Sequence, residues 1–231
     1  MEFKVLTNLQ AAVLNTLFEH DIGEIGYYLT GGTALSEFYL QHRYSDDLDL
    51  FTREERFLKK DYENLSSVLS DHGLEIISAE VSNEFVRVFI THSSGTTEQL
   101  KVEFAKDVPA RMSPPNVYGK IIVDSFEDIA VNKICAILNR EPPEPKDFVD
   151  LFFIIKESNY TVDYLLGRAK EKEGTLDNEL GILQFATNLL RVEDLQFLPR
   201  MKKPIELECL RLGLVPIAGE ILNRFRPGRS S

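Results

Sequence analysis

Residues 31–51, GGTALSEFYLQHRYSDDLDLF, constrain this chain more than any other stretch. At its end Asp47, Asp49 and Phe51 fall on one phase of an alternation, and Leu48 and Leu50 on the other. A strand sends the two phases to opposite faces, so the leucines can enter a core while both carboxylates face one site. Asp46 is out of phase with the pair. Upstream, Tyr27-Tyr28-Leu29 suits a short strand delivering Thr30-Gly31-Gly32-Thr33 to a tight turn, and residues 34–42 resume helical spacing. Gly31, Gly32 and Thr33 at a helix start offer close backbone approach and N–H groups suited to phosphate or carboxylate. An ordinary strand-to-helix turn is the alternative. Neither GxxxxGK[ST] nor GxGxxG is present.

The rest of the chain divides in two. Before the glycine turn, residues 6–19 space Leu6, Leu9, Val13, Leu14 and Leu17 as an amphipathic helix. After the acidic strand, residues 54–71 read as a helix. Three strand-like runs follow at 74–79, 84–91 and 99–105, expected as an antiparallel extension of the strand bearing Asp47 and Asp49. Residues 121–123 suit one more strand. The pattern then turns helical over 125–138, 147–157, 162–172 and 179–190, and over 205–225 with interruptions expected at Gly213, Pro216 and Gly219. The last five residues read as frayed. The expected architecture is α/β (α+β): a mixed sheet flanked by helices over residues 1–123, then a helical region over 124–231 completing the active-site cleft.

Charge narrows the function classes. The net charge is -11, while residues 200–231 hold 3 acidic and 7 basic residues. This balance opposes broad electrostatic binding to nucleic acid and leaves one basic docking patch, including Lys202 and Lys203. No apolar stretch approaches the ~20 residues needed to cross a bilayer, and residues 1–10 carry no secretory pattern. A cytoplasmic protein is expected. Cys135 and Cys209 lack metal-ligand spacing and are expected as buried thiols in a reducing compartment.

Two carboxylates spaced i,i+2 on a strand can share divalent cations, and a third acid from a neighbouring strand completes a platform for in-line phosphoryl chemistry. Glu103 is the best third candidate, since Lys101 and Glu103 alternate with Val102 and Phe104. Ser45 orients Asp47 or merely forms the turn before the strand. Lys133 sits within an otherwise apolar helix segment and needs a compensating anion if buried. Asp147 and Asp150 lie one helical turn apart, as site residues or as a helix-end acid and a structural ion pair. Arg43 and Arg140 are each open to a substrate role or a structural one.

Residues 31–51 look like the glycine-threonine/serine and DxD signature of the polymerase-beta-like nucleotidyltransferase superfamily. More closely they resemble the AbiEii/AbiGii family, nucleotidyltransferase-like toxins of bacterial abortive-infection and toxin–antitoxin systems. The later segment DSFEDIAVNKICAILNREPPEPKDFVDLFFI is similar to that family's distal motifs in its order of acid, helix lysine, arginine and KDxxD. The recognisable parts span residues 27–155. The resemblance implies that Gly32 and Thr33 contact nucleotide phosphates. Asp47 and Asp49 would bind catalytic Mg2+ with Glu103 as third acid, Lys133 would contact the triphosphate or help position the transferred nucleotide, and Asp147 and Asp150 would organise the distal site. Lys146 stands where the family often has arginine, retaining charge without the bidentate geometry. The implied activity moves a nucleoside monophosphate from an NTP, ATP included, to an acceptor hydroxyl such as that of tRNA, under control of an antitoxin. The alternatives are a catalytically inactive nucleotide- or partner-binding module on the same fold and, third, a metal-dependent nuclease. Oligomeric state is not legible.

Overall fold

A computed structural model describes residues 2–95 and 97–225; the five residues expected to fray lie outside that range. The chain divides into two units, Met1–Phe126 and Glu127–Ser231.

The first unit is organised on a mixed seven-stranded sheet, ordered β3-β4-β5-β2-β1-β7-β6. Strand β1 (Tyr27–Thr30) runs antiparallel to β2 (Asp47–Thr52), with Thr30 opposite Asp49. Helix α1 (Asn8–Glu19) precedes them, and α3 (Leu58–Asp71) follows β2. Strands β3 (Leu74–Val81), β4 (Phe85–His92) and β5 (Leu100–Lys106) form an antiparallel meander. Its join to the acidic strand corrects the sequence expectation, because β5 pairs with β2 in parallel. Helix α3 is the reason. It carries the chain back across the sheet so that β3 restarts in the direction of β2, and two hairpin reversals return β5 in that direction as well.

Alternation in β2, β4 and β5 sends Leu48, Leu50, Val86, Val88, Ile90, Val102 and Phe104 into the core. Helix α3 packs on β3 and β4, and α1 packs on α3. At the other end of the sheet β7 (Ile121–Val123) pairs with β1 in parallel and with β6 (Asn116–Tyr118), a short strand the sequence did not signal.

The segment after β1 also departs from expectation. Helix α2 (Gly31–Ala34) runs directly into wider π-type turns over Leu35–Leu40. The Gln41 amide bonds the Ser36 carbonyl at 2.8 Å, five residues back, and Gln41 ends the helix with φ of 50°. Such widened turns displace side chains from their regular helical phase. One beneficiary is Glu37, nearly buried, whose carboxylate accepts the amides of Lys4, Val5 and Leu6 at 2.6–3.1 Å. Thr7 and Gln10 form a reciprocal cap on α1. From α1, the Gln10 amide donates to the Ser45 carbonyl at 2.7 Å, anchoring the loop before β2.

Both tyrosines of β1 are buried, and each ends on a carboxylate. Tyr27 donates to Asp61, which Arg56 grips through two nitrogens. Tyr28 donates to Asp107, with Arg53 on the same carboxylate. Burial first, then the neighbouring carboxylate, pushes both phenols far above the ordinary tyrosine value. Burial likewise pushes Tyr39 up to about 12. A raised folded-state pKa stabilises fully below the unfolded value and is lost as pH rises through the folded one. Stability is therefore expected to fall as pH climbs above about 10. Chemical melts at pH 8 and pH 11 check this, and equal midpoints would remove the tyrosines from the alkaline account.

The second unit holds helices α4 (Phe126–Asn139, from its second residue), α5 (Pro145–Glu157), α6 (Val162–Ala169), α7 (Glu179–Leu190) and α8 (Leu207–Arg224). The interruptions expected near the end do not occur, because α8 is continuous through Gly213, Pro216 and Gly219. Gly213 serves packing: a Cβ there would meet the Phe152 ring at 2.7 Å. Cys209 on α8 is exposed and Cys135 half-buried, against the expectation that both thiols are buried. No helix among the described residues is long and apolar enough to cross a membrane.

Candidate active site

The site begins with two glycines that other side chains lie against. Gly31 has φ of 72°, and a Cβ built on it would meet Asp49 Oδ2 at 2.1 Å. On Gly32 it would meet the guanidinium of Arg43 at 2.3 Å and Ser45 Oγ at 3.1 Å. The paired glycines thus do two jobs. One permits a left-handed backbone, and together they let an acid and a buried cation close on the turn. Thr30 would ordinarily cap this helix start, yet its side chain caps no amide and donates instead to buried Asp124 at 3.0 Å. Thr33 donates to the Asp47 carbonyl at 2.5 Å, pinning the turn to β2. Asp124 accepts from Thr30 while its own amide bonds the Leu29 carbonyl at 2.8 Å, so it fixes where β1 releases the chain.

Gly31→Ala is expected to cost about 1–2 kcal/mol through φ alone. By pushing the Asp49 carboxylate aside it is also expected to lower any activity of the site about a hundredfold. A thermal melt read beside a transfer assay checks it, and wild-type turnover in the variant would show that Asp49 needs no such seat.

Register does the rest. Glu80, Arg87, Glu103, Asp49 and Thr30 lie opposite one another in a single row across five strands, and Phe89, Lys101 and Asp47 form the next row. Opposed residues point to one face, so the three acids proposed from sequence, Asp47, Asp49 and Glu103, share a face. Asp46 lies in the loop before β2.

Two cations that sequence reading gave no role in the site stand among these acids. Lys101 Nζ lies 2.9 Å from Asp47 Oδ2 and 3.3 Å from Glu103 Oε1. Arg87 Nε donates to the same Glu103 oxygen at 2.7 Å and reaches Glu80 at 3.0 Å. Burial raises the Glu103 carboxyl, but the Arg87 hydrogen bond and the Lys101 charge outweigh it, and the net shift is downward. Burial lowers Lys101 and its two carboxylates more than restore it, so its net shift is upward. Glu103 therefore stays ionised and Lys101 charged near neutrality. Lys101 was visible in the alternation of β5, whereas Arg87 becomes a site residue only through the β4–β5 register.

Among the described residues, no group of three or more His, Cys, Asp or Glu side chains is placed to hold a metal ion as the side chains stand. The donor set nevertheless fits a hard divalent cation. It is all carboxylate oxygen, and Asp47 and Glu103 converge on a single positive charge, the Lys101 ammonium. Ser45 gives its carbonyl to Gln10 and its hydroxyl lies beside Gly32.

In the second unit the distal residues do come together. Lys133, nearly buried, lies 2.7 Å from Asp150 and 3.3 Å from Asp147, both carboxylates wholly inaccessible. Arg140 holds the other oxygen of Asp147 at 2.5 Å. The compensating anion that sequence demanded for Lys133 is this pair. Lys146 turns instead to Glu144 at 3.0 Å. A second buried pair, Lys172 with Asp128 at 2.9 Å, went unrecognised in the sequence. Lys203 of the basic C-terminal patch is tied to Glu157 at 2.6 Å.

The mixed sheet, with its glycine turn set against the DxD strand, has the fold of solved nucleotidyltransferases. The chain is similar to a candidate nucleotidyltransferase from Helicobacter pylori, at TM-score 0.60 and 21% identity, covering 94% of this chain and 92% of that one. It is also similar to MenT4, a nucleotidyltransferase toxin of Mycobacterium tuberculosis H37Rv, at TM-score 0.59 and 15% identity, with coverage of 94% and 82%. Residues 12–207 match the family described as nucleotidyl transferase AbiEii toxin, type IV TA system, and the chain belongs to that family. An uncharacterised protein of Aquifex aeolicus (strain VF5) is 29% identical over 154 residues, 65% of this chain and 68% of that protein.

Proposed function

We propose that the chain is a magnesium-dependent nucleotidyltransferase. It transfers a nucleoside monophosphate from an NTP to an acceptor hydroxyl of tRNA, as the cytoplasmic toxin of a pair with a cognate antitoxin. One observation carries the metal requirement: the Asp49 carboxylate lies directly against Gly31, in the turn offered to phosphate. Two anions so placed repel, and a divalent cation held by this carboxylate would offset that repulsion. Asp47, Asp49 and Glu103 would hold the ion, which supplies charge neutralisation at the triphosphate and activation of the acceptor oxygen.

The residues of the chain do the remainder. Backbone amides of Gly32 and Thr33 receive phosphate oxygens at an uncapped helix start, and Arg43 adds positive potential from beneath Gly32. The acceptor oxygen bonds to the α-phosphorus as the bond to the bridging oxygen breaks, pyrophosphate departs, and the acceptor proton passes to solvent. Lys133, oriented by Asp147 and Asp150, is the candidate triphosphate contact in the second unit.

The test is incubation of wild type and D47A with each labelled NTP, Mg2+ and total RNA or protein. Transfer by the wild type alone is expected. No transfer and no NTP binding by folded protein across a broad acceptor set would sink the proposal. A second reading, an inactive nucleotide-binding module on this fold, is favoured by the neutralisation of Asp47 and Glu103 by Lys101 and Arg87. Calorimetric NTP binding without turnover would select it.

A further inference from the structure

Lys101 occupies the point on which Asp47 and Glu103 converge, and the same residue lines a groove. That groove, about 410 Å3, is walled by Ser78, Ala79, Glu80, Arg87, Phe89 and Lys101 on the half-exposed face of β3, β4 and β5. The ion pairs form an unbroken chain, Glu80 to Arg87 to Glu103 to Lys101 to Asp47. Three carboxylates in that chain face two cations, so the groove side of the site carries one net negative charge and repels an anion. A divalent ion taken up by Asp47 and Glu103 reverses that sign. It also removes both carboxylate partners of Lys101 while Arg87 keeps Glu80. An ammonium cannot stay at hydrogen-bond distance from oxygens that have turned to a dication, because like charges at such separations repel strongly.

Lysine has the means to leave, being a compact charge on a flexible four-carbon stem. Its side chain is 29% exposed, so the route out is open. Phe89 lies directly opposite Lys101 across β4–β5, and Ser78 and Ala79 are small enough to leave room in the groove.

We propose that this groove is an anion subsite created by metal loading: Lys101 closes Asp47 and Glu103 together in the metal-free chain, then turns into the groove and binds a phosphate group of the second substrate. The inference rests on the metal site proposed above. Arg87, which also reaches Glu80, is the second cation of the subsite, and the Phe89 ring offers an apolar wall for whatever carries the phosphate.

Amine labelling of the intact protein with acetic anhydride, read by mass spectrometry, follows Lys101 directly, with Lys106 and Lys203 as internal references. Mg2+ is expected to raise Lys101 labelling about fivefold, and inorganic phosphate to suppress that rise only when metal is present. In parallel, Mn2+ binding followed by electron paramagnetic resonance should tighten about fivefold in Lys101→Met, which removes a competing cation, and return towards wild type in Lys101→Arg. Mn2+ binding to wild type with Lys101 labelling unmoved overturns the subsite and leaves the transferase reading standing. Weaker Mn2+ binding in Lys101→Met, with or without a lowered melting temperature, makes Lys101 a structural strut and overturns it too. Absence of Mn2+ binding in wild type and variant alike overturns both readings.

Discussion

Asp49→Asn is expected to lower nucleotidyl transfer by about a hundred- to a thousandfold while moving the melting temperature by only a few degrees. The substitution keeps the shape of a side chain that must lie against Gly31, so the turn retains its seat. It removes the charge through which Asp49 would hold the proposed cation. Asp47→Asn is expected to lose a comparable factor but to behave differently without metal, because it also removes the negative charge 2.9 Å from Lys101. Single-turnover transfer with saturating NTP, beside thermal melts of both variants, separates these effects. Transfer within tenfold of wild type in Asp49→Asn would remove this carboxylate from the metal site.

Lys133→Met is expected to act on stability as well as on NTP affinity. The ammonium is the shared counter-charge of two carboxylates with no solvent access, Asp147 and Asp150. Removing one partner of a buried ion pair leaves charge uncompensated and costs about 3–5 kcal/mol. Arg140 still holds Asp147, so Asp150 bears most of the loss. Adding Asp150→Asn to Lys133→Met should recover part of it, since an asparagine needs no counter-charge. Urea unfolding of both variants is the measurement. A loss below about 1 kcal/mol in Lys133→Met would mean the carboxylates are satisfied elsewhere, and the distal cluster would then be read as a substrate site held in reserve. Loss of stability together with loss of NTP affinity would give Lys133 both roles.

Much of the acidic site was legible because a strand has a period of two. Asp47 and Asp49 could share a face only as a strand, and the leucines between them required it. Glu103 was reachable by the same alternation. Its neighbour relation to Asp49 was not, since it depends on which strand lies beside β2 and in which direction, and the antiparallel expectation was wrong at that join. Arg87 illustrates the limit. Nothing local distinguishes it from any other half-exposed arginine of a strand, and only the shared row with Glu103 and Glu80 makes it part of the site.

Helical periodicity carried the second unit well, and failed where context overrode a local rule. Gly213 and Pro216 are helix breakers by propensity, yet α8 continues through both, and the missing Cβ of Gly213 makes room for the Phe152 ring. The π-type turns over Leu35–Leu40 pass for ordinary helix in the sequence, for the two differ by one residue in hydrogen-bond span and spacing hardly separates them.

What the sequence determined by itself is the chemistry on offer in residues 31–51: a glycine pair for close approach, and two carboxylates bound to one face. Those follow from backbone sterics and strand period, which are local. The tertiary structure decided what each group is spent on. Asp49 is laid against Gly31, Arg43 beneath Gly32, and Lys101 between Asp47 and Glu103. Such pairings depend on the direction and register of strands far apart in the chain, and no local rule encodes them.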